Sequence, residues 1–453
     1  MKRVAFYTLG CKMNFHETAY MEEQFKKRGY KIVDFSEEAD IYIVNTCTVT
    51  SVADSKSRKA LRKAKSRNPK ALIVATGCYS EVYPEEVEKL EEVDFITGNV
   101  EKFQIVDIVE KRIEGKLPRL YLKGIWKENQ FYPLTIRHYE GKTRAFLKIQ
   151  QGCELFCSYC IIPKARGKML SEKPEKVLEQ VKELINSGYK EIVLTGTHLG
   201  GYGLDLEESL SLAKLIEKIV EIPGLYRLRI SSVEPIEFSD ELIEVVTSSP
   251  KIAPHLHIPL QSGSNRILNL MKRRYTKRDY KTIVERILSK NPDICIGTDV
   301  MVGFPGETEE DFEETKKFIE ELPFGYVHVF PYSPRKGTVA YKMKDSVSPL
   351  EKKERAAILR EIGKEKSLSY RKKFLSKELD SLALSNLENG NSVVLSGNYI
   401  RMIVKDKLKP GEIVKVRLKE VGEKREENFG IVVKKAFNGG KNEGEKKEFR
   451  NSG

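Results

Sequence analysis

In the stretch QQGCELFCSYCIIPKARGK, residues 150–168, Cys153, Cys157 and Cys160 are spaced C-x3-C-x2-C. Thiolates are soft ligands that select zinc or iron–sulfur clusters. Structural zinc sites and electron-carrying clusters usually take four protein ligands, so this set is one short. No second C-x2-C knuckle completes a zinc ribbon. On a four-iron cluster, three thiolates leave one iron open, which a cluster needs if it must bind and reduce a substrate. Three further cysteines are dispersed: Cys11 follows VAFYTLG, Cys47 follows DIYIVNT and Cys78 follows ALIVATG. Each run reads as a buried strand, and the carboxyl ends of parallel strands line one crevice. Cysteines 36 and 31 residues apart are therefore expected to converge, on an iron–sulfur cluster or zinc. Cys295, inside the apolar run CIGTDVMV, has no partner at ligand spacing and reads as core.

The elements that must position these thiols are legible as alternating patterns. Over residues 1–115, HETAYMEEQFKKRG and SKSRKALRKAKSR read as helices between the three runs, which implies a doubly wound parallel α/β domain. Residues 116–138, with the lone Trp126, read as a linker. Over 139–370 six more strands are expected: FLKIQQG, EIVLTGT, RLRISSVEP, HLHIPLQSGS, CIGTDVMVGFPGE and YVHVFPYSP. Six β/α units suit a partial TIM-type (β/α)6 barrel, with its chemistry at the carboxyl ends of the strands. A basic helix, ERAAILREIGKEKSLSYRKKFLSKEL, leads out of it. Five short strand-like runs over 371–437 then predict a small antiparallel β-barrel of the oligonucleotide-binding kind. Residues 438–453 are polar and expected to be disordered. The fold class is α/β.

At 453 residues the chain is too long for one core. Its net charge of +13 points toward a polyanion such as RNA, with solubility as the bland alternative. No run is apolar and long enough to span a membrane. The opening MKRVAFYTLGCKMN runs into a strand, so neither a signal peptide nor a disulfide framework is expected, and a cytoplasmic location follows. Lys56–Lys70 holds eight basic residues and no acidic one. Lys56, Arg58, Lys59, Arg62 and Lys63 on it are candidate phosphate contacts. GFPGET lacks the GK[ST] ending of a phosphate loop and reads as a tight βα turn. His255 and His257 share one strand face and read as core or pocket histidines rather than metal ligands.

The C-x3-C-x2-C loop after a strand resembles the signature of the radical SAM superfamily. The order of the three domains extends that resemblance to the methylthiotransferase family, as do CKMN, NTCTVTSVAD, GCYSE, LTGTHLG, SSVEP, HIPLQSGS, VGFPGET and HVFPYSPRKGT. Within it, FCSYCIIPKARG, LTGTHLGGYG and HVFPYSPRKGT are most like the branch acting on N6-threonylcarbamoyladenosine in tRNA. RGKMLSEK departs from that branch, with Leu170 and Glu172 where its members carry arginines.

The resemblance implies two [4Fe-4S] clusters, one on Cys153, Cys157 and Cys160 and one on Cys11, Cys47 and Cys78. The first would bind and cleave S-adenosylmethionine to a 5′-deoxyadenosyl radical; the second would hold the sulfur to be methylated and delivered to C2 of an adenine. It also implies that Thr195, Gly196, Glu234, Gln261 and Asp299 contact S-adenosylmethionine. Arg166 would meet substrate or cofactor phosphate. A TRAM-type barrel would grip RNA through Lys405, Lys407, Lys415, Arg417 and Lys419. The implied partners are a tRNA with its target at position 37, and a flavodoxin- or ferredoxin-type electron donor. The sulfur donor is left open, and a monomer is expected. The alternatives are an isopentenyladenosine or ribosomal-protein-aspartate methylthiotransferase, and a non-catalytic iron–sulfur redox sensor that binds RNA.

Overall fold

Each apolar run ahead of a dispersed cysteine forms a strand. The computed structural model describes residues 1–132, 136, 139, 141–207 and 210–435; the expected tail lies outside them. The first sheet comprises β1 (Arg3–Thr8), β2 (Lys31–Val33), β3 (Ile41–Thr46), β4 (Leu72–Gly77), β5 (Phe95–Thr97) and β6 (Leu120–Tyr121). All its pairings are parallel, in the order β2-β1-β3-β4-β5-β6. Every residue of β3 is buried, as a strand covered by helices on both faces requires. The chain winds one way from β1 to β2 and the other way from β3 onward, so a crevice opens between β1 and β3. Residues 116–138 are not all linker. Leu120 and Tyr121 pair with Ile96 and Thr97, and a two-residue strand leaves no alternation to read.

All six expected strands of the central region form: β7 (Arg144–Lys148), β10 (Glu191–Thr195), β11 (Arg227–Ile230), β12 (His255–His257), β13 (Cys295–Val302) and β14 (Tyr326–Pro331). A two-stranded ribbon, β8 (Gln150–Gln151) and β9 (Leu170–Ser171), frames the local cysteine loop. Single parallel pairs, Leu228 with Ile252 and Ser232 with His257, join the two halves of the sheet. The result is a curved run β7-β10-β11-β12-β13-β14, and among the described residues β7 and β14 are not paired. It is an open barrel. GFPGET forms the expected turn: Thr308 caps helix Glu309–Glu321 in a capping box with Asp311.

Helix Pro349–Lys372 connects to a closed five-stranded barrel of β15 (Glu378–Asn386), β16 (Ser392–Ser396), β17 (Arg401–Val404), β18 (Ile413–Val421) and β19 (Asn428–Lys435). Four of its pairings are antiparallel, and β17 closes on β19 in parallel. Cys295 packs in this barrel's core cluster with Tyr326 and Tyr370, the structural role its context suggested. Buried ion pairs join the first domain to the open barrel: Arg335 Nη1 reaches Asp54 at 2.5 Å.

Candidate active site

The three dispersed cysteines line one cavity. Cys11 caps helix Lys12–Lys27, Cys47 follows β3, and Cys78 opens the short helix Cys78–Val82. Two glycines allow the approach. A Cβ on Gly10 (φ +103°) would stand 3.0 Å from Cys47 Sγ, and one on Gly77 (φ +98°) would stand 2.7 Å from the Thr46 carbonyl. Asn14 Nδ2 donates to the Leu9 carbonyl at 2.6 Å and the Thr46 carbonyl at 3.1 Å, tying the Cys11 loop to the Cys47 loop. Asn99 Nδ2 lies 3.7 Å from Cys78 Sγ. Burial, then the neighbouring Cys78, push the Cys47 thiol up to about 12. Three thiols on one wall of a common cavity are a soft donor set, which fits a metal cluster.

The local set is built on a loop whose backbone is pinned from two sides. Cys153 N donates to the Gly167 carbonyl at 3.2 Å, and Ser158 N and Oγ donate to the Met271 and Leu270 carbonyls at 3.0 and 2.8 Å. A Cβ on Gly152 (φ +73°) would fall 1.8 Å from the Lys168 carbonyl, so no other residue fits there. Arg273 Nη1 lies 3.2 Å from Cys157 Sγ, and its other nitrogen pairs with Glu234. Burial raises the Cys153 thiol to about 11 and the Cys160 thiol to about 12. This set too is a soft donor set that fits a metal cluster.

Beside the dispersed set lies a buried charge network that the sequence does not reveal. Glu17, on the helix after Cys11, receives Lys102 Nζ at 2.6 Å and pairs with the Arg166 guanidinium, with Lys148 Nζ at 3.9 Å. All four side chains are at most 4 % exposed. Burial alone would raise the Glu17 carboxyl, but Arg166, Lys102 and Lys148 hold it well below the usual range. Arg166, a candidate for substrate or cofactor phosphate, lines the same cavity as the dispersed cysteines and is also held by Glu17 and Asn14, because the helix Ile162–Arg166 packs against the first domain. A lysine inside the apolar strand RAFLK was the one visible signal of this network.

One cavity of about 800 Å³ gathers residues of all three domains, and Cys153, Cys157 and Cys160 are not among the residues that line it. Cys11, Cys47, Cys78 and Arg166 line it from one side, Thr195, Gly196, His257, Asp299 and His328 from the open barrel, and Tyr399 and Arg425 from the C-terminal barrel. Of the five residues expected to contact S-adenosylmethionine, Thr195, Gly196 and Asp299 line this space. Glu234 sits beside Cys157 through Arg273. Gln261 adopts φ +68°, and its Oε1 is buried with no partner among the described residues, an acceptor left for a ligand. His255 and His257 are pocket residues. His255 Nε2 and His257 Nδ1 lie 2.9 and 3.1 Å from Tyr326 Oη, and His257 and His328 flank Asp299 at 3.1 and 3.3 Å. Those two hydrogen bonds outweigh burial and hold the Asp299 carboxyl far below its ordinary value.

Helix Ser51–Arg67 buries Ser57, Ala60, Leu61 and Ala64 and turns Lys56, Lys59, Arg62 and Lys63 to solvent. Lys56, Lys59 and Lys63 have no ion pair among the described residues, whereas Arg62 lies 3.4 Å from Glu92. Arg58 donates to Tyr79 Oη at 2.9 Å. On the C-terminal barrel Lys405, Lys407 and Lys419 are exposed, Lys415 lies 4.0 Å from Asp380 and Arg417 pairs with Glu378 at 2.6 Å.

Glu172, the departure noted in the sequence, is 4 % exposed, and its Oε2 has no hydrogen-bond partner among the described residues. Burial raises its carboxyl to about 6. The folded chain therefore holds this proton more tightly than the unfolded chain, and the group costs stability as pH rises from 4.5 through about 6. Glu172→Gln is expected to gain about 1–2 kcal/mol at pH 7 and nothing below pH 4. Urea unfolding at both pH values checks this; an equal gain at both contradicts it.

Residues 3–98 match the family profile described as Uncharacterized protein family UPF0004, and residues 147–319 match the Radical SAM superfamily. The chain is 44% identical, over 91% of its length and 99% of the relative's, to threonylcarbamoyladenosine tRNA methylthiotransferase MtaB of Aquifex aeolicus. It is 40% identical to the Bacillus subtilis protein of that name, over 93% of this chain and 95% of the other. To the tRNA-2-methylthio-N(6)-dimethylallyladenosine synthase of Thermotoga petrophila it is 38% identical, over 84% and 86%. Among solved structures, the radical S-adenosylmethionine methyltransferase TsrM of Kitasatospora setae shares the fold at a TM-score of 0.53 and 14% identity, over 73% of each chain. The chain belongs to the radical SAM methylthiotransferase family. Membership brings S-adenosylmethionine and a [4Fe-4S] cluster. No helix among the described residues is long and apolar enough to cross a membrane.

Proposed function

We propose that this enzyme converts N6-threonylcarbamoyladenosine at position 37 of tRNA, beside the anticodon, to its 2-methylthio derivative. The observation that carries the reading is the shared cavity: three thiols of the first domain face the strand ends of the open barrel across about 800 Å³, room for a nucleoside. The 44% identity to a protein named for that substrate supports the choice of nucleoside.

In this reading Cys153, Cys157 and Cys160 hold the cluster that binds S-adenosylmethionine, and Cys11, Cys47 and Cys78 hold a second [4Fe-4S] cluster. When bound, these groups supply the radical, the sulfur and the methyl group, as an unactivated aromatic C–H demands. The chain's own residues position and enclose. Thr195, Gly196, Glu234, Gln261 and Asp299 orient S-adenosylmethionine. Arg273 sets the Cys157 sulfur, and Arg166 places a positive charge beside the dispersed thiols. Lys56, Lys59 and Lys63, with Lys405, Lys415 and Arg417 of the C-terminal barrel, grip RNA phosphates without reading sequence. A cytoplasmic one-electron donor of the flavodoxin or ferredoxin type would reduce the enzyme.

Reconstituted anaerobically with iron, sulfide, S-adenosylmethionine and dithionite, the enzyme is expected to methylthiolate tRNA bearing N6-threonylcarbamoyladenosine. Nucleoside mass spectrometry reads the product. Product only from isopentenyladenosine tRNA would reverse the choice of substrate, and absence of 5′-deoxyadenosine would overturn the enzymatic reading.

A further inference from the structure

Arg425 belongs to the loop between β18 and β19 of the C-terminal barrel, yet it lines the same cavity as Cys11, Cys47, Cys78 and Asp299. Its guanidinium lies 4.2 Å from the centre of the Tyr326 ring and 5.2 Å from that of Tyr399. The loop is held in place: Asn428 Nδ2 donates to the Arg425 carbonyl at 2.8 Å, and Asn428 Oδ1 accepts from Arg371 at 2.7 Å.

Arg425 is half-buried and, among the described residues, no carboxylate pairs with it. Lys12, half-buried on the cavity wall, has none either. The carboxylates of this region are already engaged. Glu191 serves Arg227 and Arg229 at 3.3 and 2.8 Å, and Asp299 lies between His257 and His328. A cation set against aromatic faces and left without a counter-ion in a partly dry cavity is a receptor for an anion. A guanidinium fork fits a carboxylate with two parallel hydrogen bonds.

We propose that Arg425, assisted by Lys12, receives a carboxylate carried by the target nucleoside, so that the C-terminal barrel reads the substituent on the base as well as gripping the RNA. The inference rests on the proposed substrate, whose threonyl end carries a carboxylate where an isopentenyl group carries no polar atom. Phosphates and the carboxylate of S-adenosylmethionine share the same chemistry, and the test separates them.

The experiment measures binding of anticodon stem-loops to the full-length reconstituted enzyme. Position 37 carries threonylcarbamoyladenosine, its threonyl carboxamide, or plain adenosine. The wild type is expected to bind the acid about ten- to a hundredfold tighter than the carboxamide. Arg425→Gln should erase that difference and Arg425→Lys should keep part of it. Equal binding of acid and carboxamide by the wild type, which needs no variant to fold, would overturn the proposal. So would an Arg425→Gln loss shared equally by all three RNAs, which marks a phosphate contact, or a loss confined to S-adenosylmethionine. A wild type that discriminates in binding but never methylthiolates the acid-bearing RNA would instead sink the substrate reading and leave the subsite standing.

Discussion

Replacing Cys11, Cys47 and Cys78 together by alanine is expected to leave reductive cleavage of S-adenosylmethionine running while abolishing the methylthio product. Replacing Cys153, Cys157 and Cys160 should abolish both. The two sets occupy separate supports: one lies at the crevice of the first sheet, the other on a loop pinned to Gly167, Leu270 and Met271. Each triple variant should lose about four iron atoms per chain if each set holds one four-iron cluster, as proposed. Iron analysis, 5′-deoxyadenosine release and nucleoside mass spectrometry read the three outcomes separately. Loss of cleavage in the Cys11/Cys47/Cys78 variant, with its other iron intact, would contradict the division of labour.

The second large effect concerns Glu17. Glu17→Gln keeps the shape of the side chain but leaves Lys102, Lys148 and Arg166 buried without the carboxylate they share. Breaking a buried pair from one side costs about 3–5 kcal/mol, a large part of a typical total of about 5–15 kcal/mol. A lower urea midpoint is therefore expected. Adding Lys102→Met should recover part of the loss, because it removes one stranded charge instead of creating one. If the double variant is no more stable than Glu17→Gln alone, the network does not work through charge balance. The single variant should also weaken retention of the proposed cluster on Cys11, Cys47 and Cys78, since Glu17 holds Arg166 beside them.

How far the residues alone reached is clearest at particular places. The position of Cys47 is legible because the apolar run IYIV marks a buried strand, and a buried parallel strand delivers whatever follows it to the crevice. The same reasoning placed Cys11, Cys78, Thr195 and Asp299. The short β6 escaped, because two residues carry no period. The ion pair of Arg166 with Glu17 is not legible in sequence, since a basic residue near a cysteine loop reads the same whether it is buried or exposed.

Sequence by itself determined the two incomplete thiol sets, the strands that carry them, the order of the domains and the basic face of helix Ser51–Arg67. These are local facts: residue type, spacing and period decide them within a few turns of chain. Only the tertiary structure decided that Glu17, Lys102, Lys148 and Arg166 share one buried site, although up to 149 residues separate them. It alone brought Arg425 of the last domain to a cavity walled by cysteines of the first. Burial and pairing depend on which surfaces meet, and a charged residue reads alike in sequence whether it faces solvent or a partner. The count of three thiols in each set is written in the chain; the charges around each set are written in the packing.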